Sequence, residues 1–194
     1  MIPVVQRLAG FQSGEILAHL LALPAEDLRL RFGVARSPVA IEKFVNGIDF
    51  TNDRVFGIFD PELKLVSVAH LAVNLEGRFA ELGLSVAHAI HRQGHGEALL
   101  HRGASHAASL GLRMIYMHCL SENAALMGLA RKAGFKIVVD HGEADASMQI
   151  EETRGEGIAM ELVHEQIALV DSMFMRQSKL LRTMAGIKET AATA

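Results

Sequence analysis

The segment HRQGHGEALL, residues 91–100, carries the most specific chemistry in the chain. Gly94 and Gly96 flank one residue, a basic stretch precedes them, and a helix-like run follows. Glycines let a backbone approach a ligand, and the first N–H groups of a helix have no intrahelical acceptor, so such a turn suits an anion. The ending is wrong for a Walker loop, which needs Gly-Lys-Ser/Thr. A dinucleotide fingerprint needs a third glycine, and that place holds Leu99. A pyrophosphate loop on a mixed sheet remains, beside a plain tight helix entry.

Other residues could do chemistry nearby. Glu81 interrupts the apolar run FAELGLSVA, and a carboxylate beside a cleft can serve as a general base. It could equally face solvent or pair with an arginine. His88, His91, His95, His101 and His106 fall within 19 residues. His91 and His95 have the i, i+4 spacing of metal sites. The turn glycines separate them, and no cysteine or carboxylate completes a set, so no metal is expected. Residues 140–165 hold eight acidic side chains against one arginine, Arg154. Asp140, Glu143 and Asp145 would steer a cationic molecule if they border a cleft, and are a solvated loop otherwise.

These residues need elements to place them. Helices are expected at 13–23, capped by Ser13 and ended by Pro24, and at 37–48, with Ser37 as cap and Pro38 in the first turn. The period then changes to that of strands. RVFGIFD, KLVSVAHLAV and RFAELGLSVA read as an antiparallel meander joined by DPEL and NLEG. The glycine turn opens a helix to about residue 110. RMIYMHC is a strand, ENAALMGLARKA a helix, and FKIVVD and ASMQIE are two strands around an acidic loop. A long Met-rich amphipathic helix is expected from about 157 to 186, packed on its own domain or against a second copy in a homodimer.

Composition sets outer bounds. The 194 residues suit one domain, with a core expected at about 13–152. A net charge of -3 argues against nucleic acid as a general partner. Cys119 is the only cysteine, which fits a cytoplasmic protein without internal disulfides. No apolar run approaches the ~18 residues that span a bilayer, so no membrane association is expected.

Two blocks in order resemble the GNAT family of N-acetyltransferases, which move an acetyl group from acetyl-CoA to an amine. The family's coenzyme loop is Arg/Gln-x-x-Gly-x-Gly/Ala, eight residues after a valine on a bent strand. Here Val86 lies eight before Gly94, Gly96 completes the pair, and His91 replaces the Arg/Gln, with Arg92 and Gln93 beside it. The second block is ENAALMGLARKAGF, with Asn123, Gly134 and Phe135 at the family's positions. A narrower resemblance, to bacterial protein-lysine acetyltransferases, rests on RLRFG (Arg31, Phe32), GIDF (Ile48, Asp49, Phe50) and Glu122-Asn123.

The resemblance implies an α/β fold with a mixed, mostly antiparallel sheet and a splayed strand pair flanked by helices. It implies that Leu84, Ser85 and Val86 offer backbone groups to acetyl-CoA, and that residues His91, Arg92, Gln93, Gly94, His95 and Gly96 hold its pyrophosphate. Asn123 would contact the pantetheine arm, and Glu81 would be the catalytic base. Arg131 and Lys132 are solvated helix charges or contacts to coenzyme phosphate. The family's proton-donating tyrosine position holds Ala130, which leaves Tyr116, His118, Cys119, Ser121 or water. The acceptor implied is a primary amine, on a protein lysine or a small molecule. A non-catalytic acyl-CoA-binding module is the rival.

Overall fold

The computed structural model describes residues 3–150, together with Gln166 and Met173. Apart from those two residues, the expected C-terminal helix lies outside the described residues. The elements are β1 (Gln6–Leu8), α1 (Ser13–Leu21), α2 (Ala25–Phe32), α3 (Pro38–Asn46), β2 (Arg54–Phe59), β3 (Leu65–Asn74), β4 (Phe79–Val86), α4 (His95–Ser109), β5 (Met114–Leu120), α5 (Ala124–Lys132), β6 (Lys136–Asp140) and β7 (Glu143–Gln149).

One seven-stranded sheet has the order β1-β2-β3-β4-β5-β7-β6. Among the described strands, β4 and β5 alone pair in parallel. Alternation along each strand sends residues to opposite faces. On one face Phe56, Ala69, Leu71, Leu82 and Ile115 pack with Leu99, Leu100 and Ala107 of α4. On the other, Val55, Leu65 and Val68 pack with Ile16 and Leu20 of α1 and Ile41 and Val45 of α3.

Local signals explain most boundaries. The Ser37 hydroxyl accepts from Ala40 N–H at 3.3 Å, with Pro38 in the first turn of α3. Gly111 and Gly134 follow α4 and α5 at φ 69° and 85°, as helix-ending glycines do. Three expectations need correction. A 3-10 turn, Gly10–Gln12, precedes α1, so Ser13 is its first helical residue and not its cap. The acidic loop is a tight hairpin. His141 and Gly142 both have positive φ, 46° and 91°, the requirement of a two-residue turn, so Asp140 and Glu143 are paired strand residues.

The third correction is α2, which hydrophobic periodicity misses because Leu28 is its one buried residue. Its end signals are nevertheless complete. Pro24 precedes it, Glu26 and Asp27 sit in the first turn, Arg29 and Arg31 in the last, and Gly33 closes it at φ 74°.

Candidate active site

β4 and β5 pair over three residues only: Phe79↔Met114, Ala80↔Ile115 and Glu81↔Tyr116. Both strands continue, β4 to Val86 and β5 to Leu120, and a gap opens between them. The ladders on each side decide which groups face it. Ala87 N–H donates to Val66 carbonyl at 2.8 Å, continuing the register Ser67↔Val86. In an antiparallel ladder bonded pairs alternate, so Ser85 and Gly83 direct their backbone groups to β3. Leu84 and Val86 direct theirs into the gap. On β5, Ser121 N–H to Gly142 carbonyl and Ile150 N–H to Arg113 carbonyl, both 2.9 Å, set the same alternation. The groups of His118 therefore face the gap from the other side.

The expected residues divide accordingly. Leu84 and Val86 line the gap, although the Val86 carbonyl already accepts from His91 Nε2 at 3.0 Å. Ser85 does not face it. Its backbone belongs to the β3 ladder, and its hydroxyl meets His19 Nε2 at 3.0 Å in the core. That histidine is buried, and burial holds its pKa down at about 4, against a hydrogen bond to the Leu65 backbone.

The glycine turn lies at the end of β4. Gly94 is the N-cap of α4 at φ 83°, with nothing within 4 Å of the place a Cβ would take. Its glycine is therefore required by backbone conformation. Gly96 instead sits close to α5, where a Cβ would press on the Leu129 side chain at 3.3 Å. The first 5→1 bond of α4 is Ala98 N–H to Gly94 carbonyl, 3.0 Å. The amides of His95, Gly96 and Glu97 precede it and have no acceptor in the helix. Arg92, at φ 62°, and Gln93 are exposed at the mouth of the turn. His95 turns inward instead, with Nδ1 2.9 Å from the buried Ser67 hydroxyl, and burial lowers its pKa.

Asn123 caps α5 by accepting from Leu126 N–H at 3.0 Å, and its amide nitrogen reaches the Leu30 carbonyl at a long 3.5 Å. Arg29 bonds Glu122 at 2.6 Å. These contacts draw α2 across β4 and β5. Lys132 is spent on Glu97 at 2.8 Å, which locks α5 to the first turn of α4. Ala130 is buried in the core.

Glu81 and Tyr116 are the last paired residues before the gap and share the face opposite α4. Glu81 is exposed. Tyr116 packs edge-on against Phe79, with ring centroids 5.7 Å apart, and remains half-buried. His118 and Asp145 form a contact on the same face, which places Asp145 one strand from the gap, across β5. Cys119 points into the opposite core, where burial raises its thiol pKa.

Arg31, which the sequence singled out by resemblance alone, lies against this face from α2. Its Cζ is 5.0 Å from the Phe32 ring centre and 5.9 Å from that of Phe44. Burial draws its pKa down to about 10, opposed by the attraction of Glu81. His70, paired with Asp53 at 2.8 Å, also neighbours it, and burial lowers the imidazole pKa. Cation, carboxylate and imidazole thus meet under α2.

A gap that exposes backbone groups, ending in open helix amides, is suited to an extended ligand with a phosphate end. The family model described as "Acetyltransferase (GNAT) family" matches residues 17–135, more than half of the chain. The chain belongs to the GNAT acetyltransferase family. As a member it is an N-acetyltransferase by family, and solved structures agree in fold. The GNAT domain of PAT from S. lividans superposes with a TM-score of 0.64 at 16% identity, over 75% of this chain and 89% of that one. A phosphinothricin acetyltransferase from Sinorhizobium meliloti, solved with AcCoA, has a TM-score of 0.64 at 15% identity, over 78% and 90%. Spermidine N-acetyltransferase from Vibrio cholerae, with CoA and spermine, has 0.60 at 19%, over 75% and 94%. At this identity each likeness speaks for the fold. No curated protein matches the chain. Among the described residues no helix is long and apolar enough to cross a membrane.

Proposed function

We propose that this acetyltransferase binds acetyl-CoA between β4 and β5 and acetylates a primary amine held over the face that carries Glu81. The observation that carries the reading is the pairing of β4 and β5 that stops at Glu81↔Tyr116 and leaves the Leu84 and Val86 groups facing the gap. The coenzyme supplies the activated acetyl group and a thiol leaving group.

The chain's own residues do the rest. The Leu84 backbone and the Val86 N–H orient the arm by strand-like hydrogen bonds. The amides of His95, Gly96 and Glu97, with Arg92 and Gln93 at the mouth, hold the pyrophosphate. The His91 ring steadies the turn through Val86. The long Asn123 contact leaves its amide as the donor from the α5 side. Glu81 takes the proton of the incoming amine, which must be neutral to attack. Tyr116 is the nearest hydroxyl in register and, with water, is the proton source for the thiolate, a fair leaving group near neutrality.

Asp140, Glu143 and Asp145 lie on β6 and β7 and favour a cationic acceptor. A lysine side chain and a small polyamine both answer to that. The buried Ala130 in place of the family tyrosine favours one other reading, an acyl-CoA-binding module without turnover. Thiol release from acetyl-CoA, measured with lysine peptides, polyamines and amino acids, separates the three. Release above the hydrolysis rate with any amine supports transfer. Coenzyme-induced stabilisation with no release across the panel leaves the binding module.

A further inference from the structure

We propose that Asp27, His88 and His91 form a binding site for a zinc-type transition-metal ion, which ties α2 to the turn before α4. The inference needs no assumption about the acceptor. Residues His88–Ile90 form a 3-10 turn, with His91 as its C-cap. At three residues per turn, side chains three apart lie over one another. The two imidazoles accordingly stand side by side, with ring centroids 4.9 Å apart. Asp27 arrives from the first turn of α2, and its Oδ2 is 3.1 Å from His88 Nδ1. One ligand atom from each of the three lies within 4.8 Å of the others.

The geometry is close to that of a coordinated ion. At a Zn–N length of ~2.0–2.1 Å, tetrahedral ligand atoms stand ~3.3 Å apart. The Asp27–His88 separation already fits, all three ligand atoms lie within 4.8 Å of one another, and both imidazoles are exposed. His91 adds a second feature. Its Nε2 donates to the Val86 carbonyl at 3.0 Å, which leaves Nδ1 with the lone pair. A backbone carbonyl on the far nitrogen is the usual way a metal-binding imidazole is oriented. The Asp27 carboxylate is mostly covered, at 17% exposure, whereas the His88 ring is 70% exposed. The site therefore has an entry path and room for water as a fourth ligand. Two imidazoles and a carboxylate suit Zn²⁺ rather than Mg²⁺ or Ca²⁺, which prefer oxygen.

The position gives the ion a structural consequence. α2 brings Arg29, Leu30 and Arg31 to the gap, and the turn after β4 leads to the open amides of α4. An ion between them joins the two walls. The contacts His118–Asp145, His141–Asp140 and His70–Asp53 each bring one imidazole, and serve as controls.

The test uses the full chain, stripped of metal, with Zn²⁺ titrated against a chromogenic chelator. One equivalent bound at micromolar affinity or tighter is expected. Asp27→Asn and His88→Gln should each weaken it at least about tenfold, and His118→Gln should not, on the scale of a lost ligand or ligand partner. His88 is exposed, so its replacement leaves the fold intact, which circular dichroism verifies. Hydrogen exchange supplies a second readout: Zn²⁺ should slow exchange in 25–32 and 88–94 in wild type and not in His88→Gln. The proposal is overturned if the wild type takes up no Zn²⁺ at micromolar levels. It is equally overturned if Asp27→Asn and His88→Gln bind like wild type, which would place the ion elsewhere and leave Asp27–His88 a hydrogen-bonded pair.

Discussion

Arg31 occupies the space that a side chain at Gly83 would need: a Cβ there would lie 2.0 Å from Arg31 Nη2 and 2.2 Å from its Cζ. The absence of one methyl group on β4 thus seats a cation from α2 on the sheet face that carries Glu81. Gly83→Ala should expel the guanidinium, costing about 1–3 kcal/mol as overpacking. In an Arg31→Ala background the same change should cost much less. Urea unfolding of both singles and the double measures the coupling, and strictly additive losses would refute the relationship.

Glu81→Gln keeps the shape of the side chain and removes the base. Turnover should fall about 10²- to 10⁴-fold with acetyl-CoA affinity unchanged. Steady-state rates across about pH 6 to 9, below the ~10.4 at which a lysine amine titrates, with isothermal titration of the coenzyme, check both halves. A rate equal to wild type moves Glu81 to the surface residues.

Gly94 and Gly96 should respond differently to alanine. Gly94→Ala places a side chain in the left-handed region, at about 1–2 kcal/mol, and should weaken coenzyme binding by distorting the open amides. Gly96→Ala presses on Leu129, whose flexible end can give, and should disturb packing more than binding. Wild type should gain roughly 2.7 kcal/mol from acetyl-CoA at 100 times its dissociation constant. Thermal shifts with and without coenzyme decide, and no shift in wild type at millimolar coenzyme would disprove the binding site.

His19 makes stability depend on pH. In the unfolded chain it protonates near 6.5, and in the fold its pKa is about 4. Between those values unfolding takes up a proton, so stability falls as pH drops through 6.5 and levels off below 4. The loss is at most roughly 3 kcal/mol. His19→Gln, which can still meet Ser85, should flatten that part of the curve. Identical slopes in the two proteins between pH 6.5 and 4 would rule His19 out as the source.

Replacing Asp140, Glu143 and Asp145 by their amides should raise the KM for a cationic amine and leave that for acetyl-CoA nearly unchanged. Surface charges are screened beyond about 8 Å at physiological ionic strength, so the wild type should lose more than the triple variant as salt rises. Equal salt dependence would reduce the three acids to solvated surface.

The fold was legible in sequence wherever a local rule suffices. The strand periods, the Ser37-Pro38 cap and the glycines after α4 and α5 act within a few residues, and each element stands close to its expected place. The turn of Gly94 and Gly96 was legible for the same reason, because positive φ and open amides belong to a short stretch of chain. Tertiary structure decided how distant residues meet. Ser85 looked equivalent to Leu84 and Val86, and pairing with β3 turned its backbone away from the gap. His95 was a donor by position and is engaged with Ser67, 28 residues upstream. α2, nearly without apolar periodicity, is placed by Arg29 and Asn123 reaching across the fold, and so brings Arg31 to Gly83 and Asp27 to His88. These pairs lie 52 and 61 residues apart. No local propensity encodes such contacts; they exist only once both faces of the sheet have been buried and the register of β4 is set.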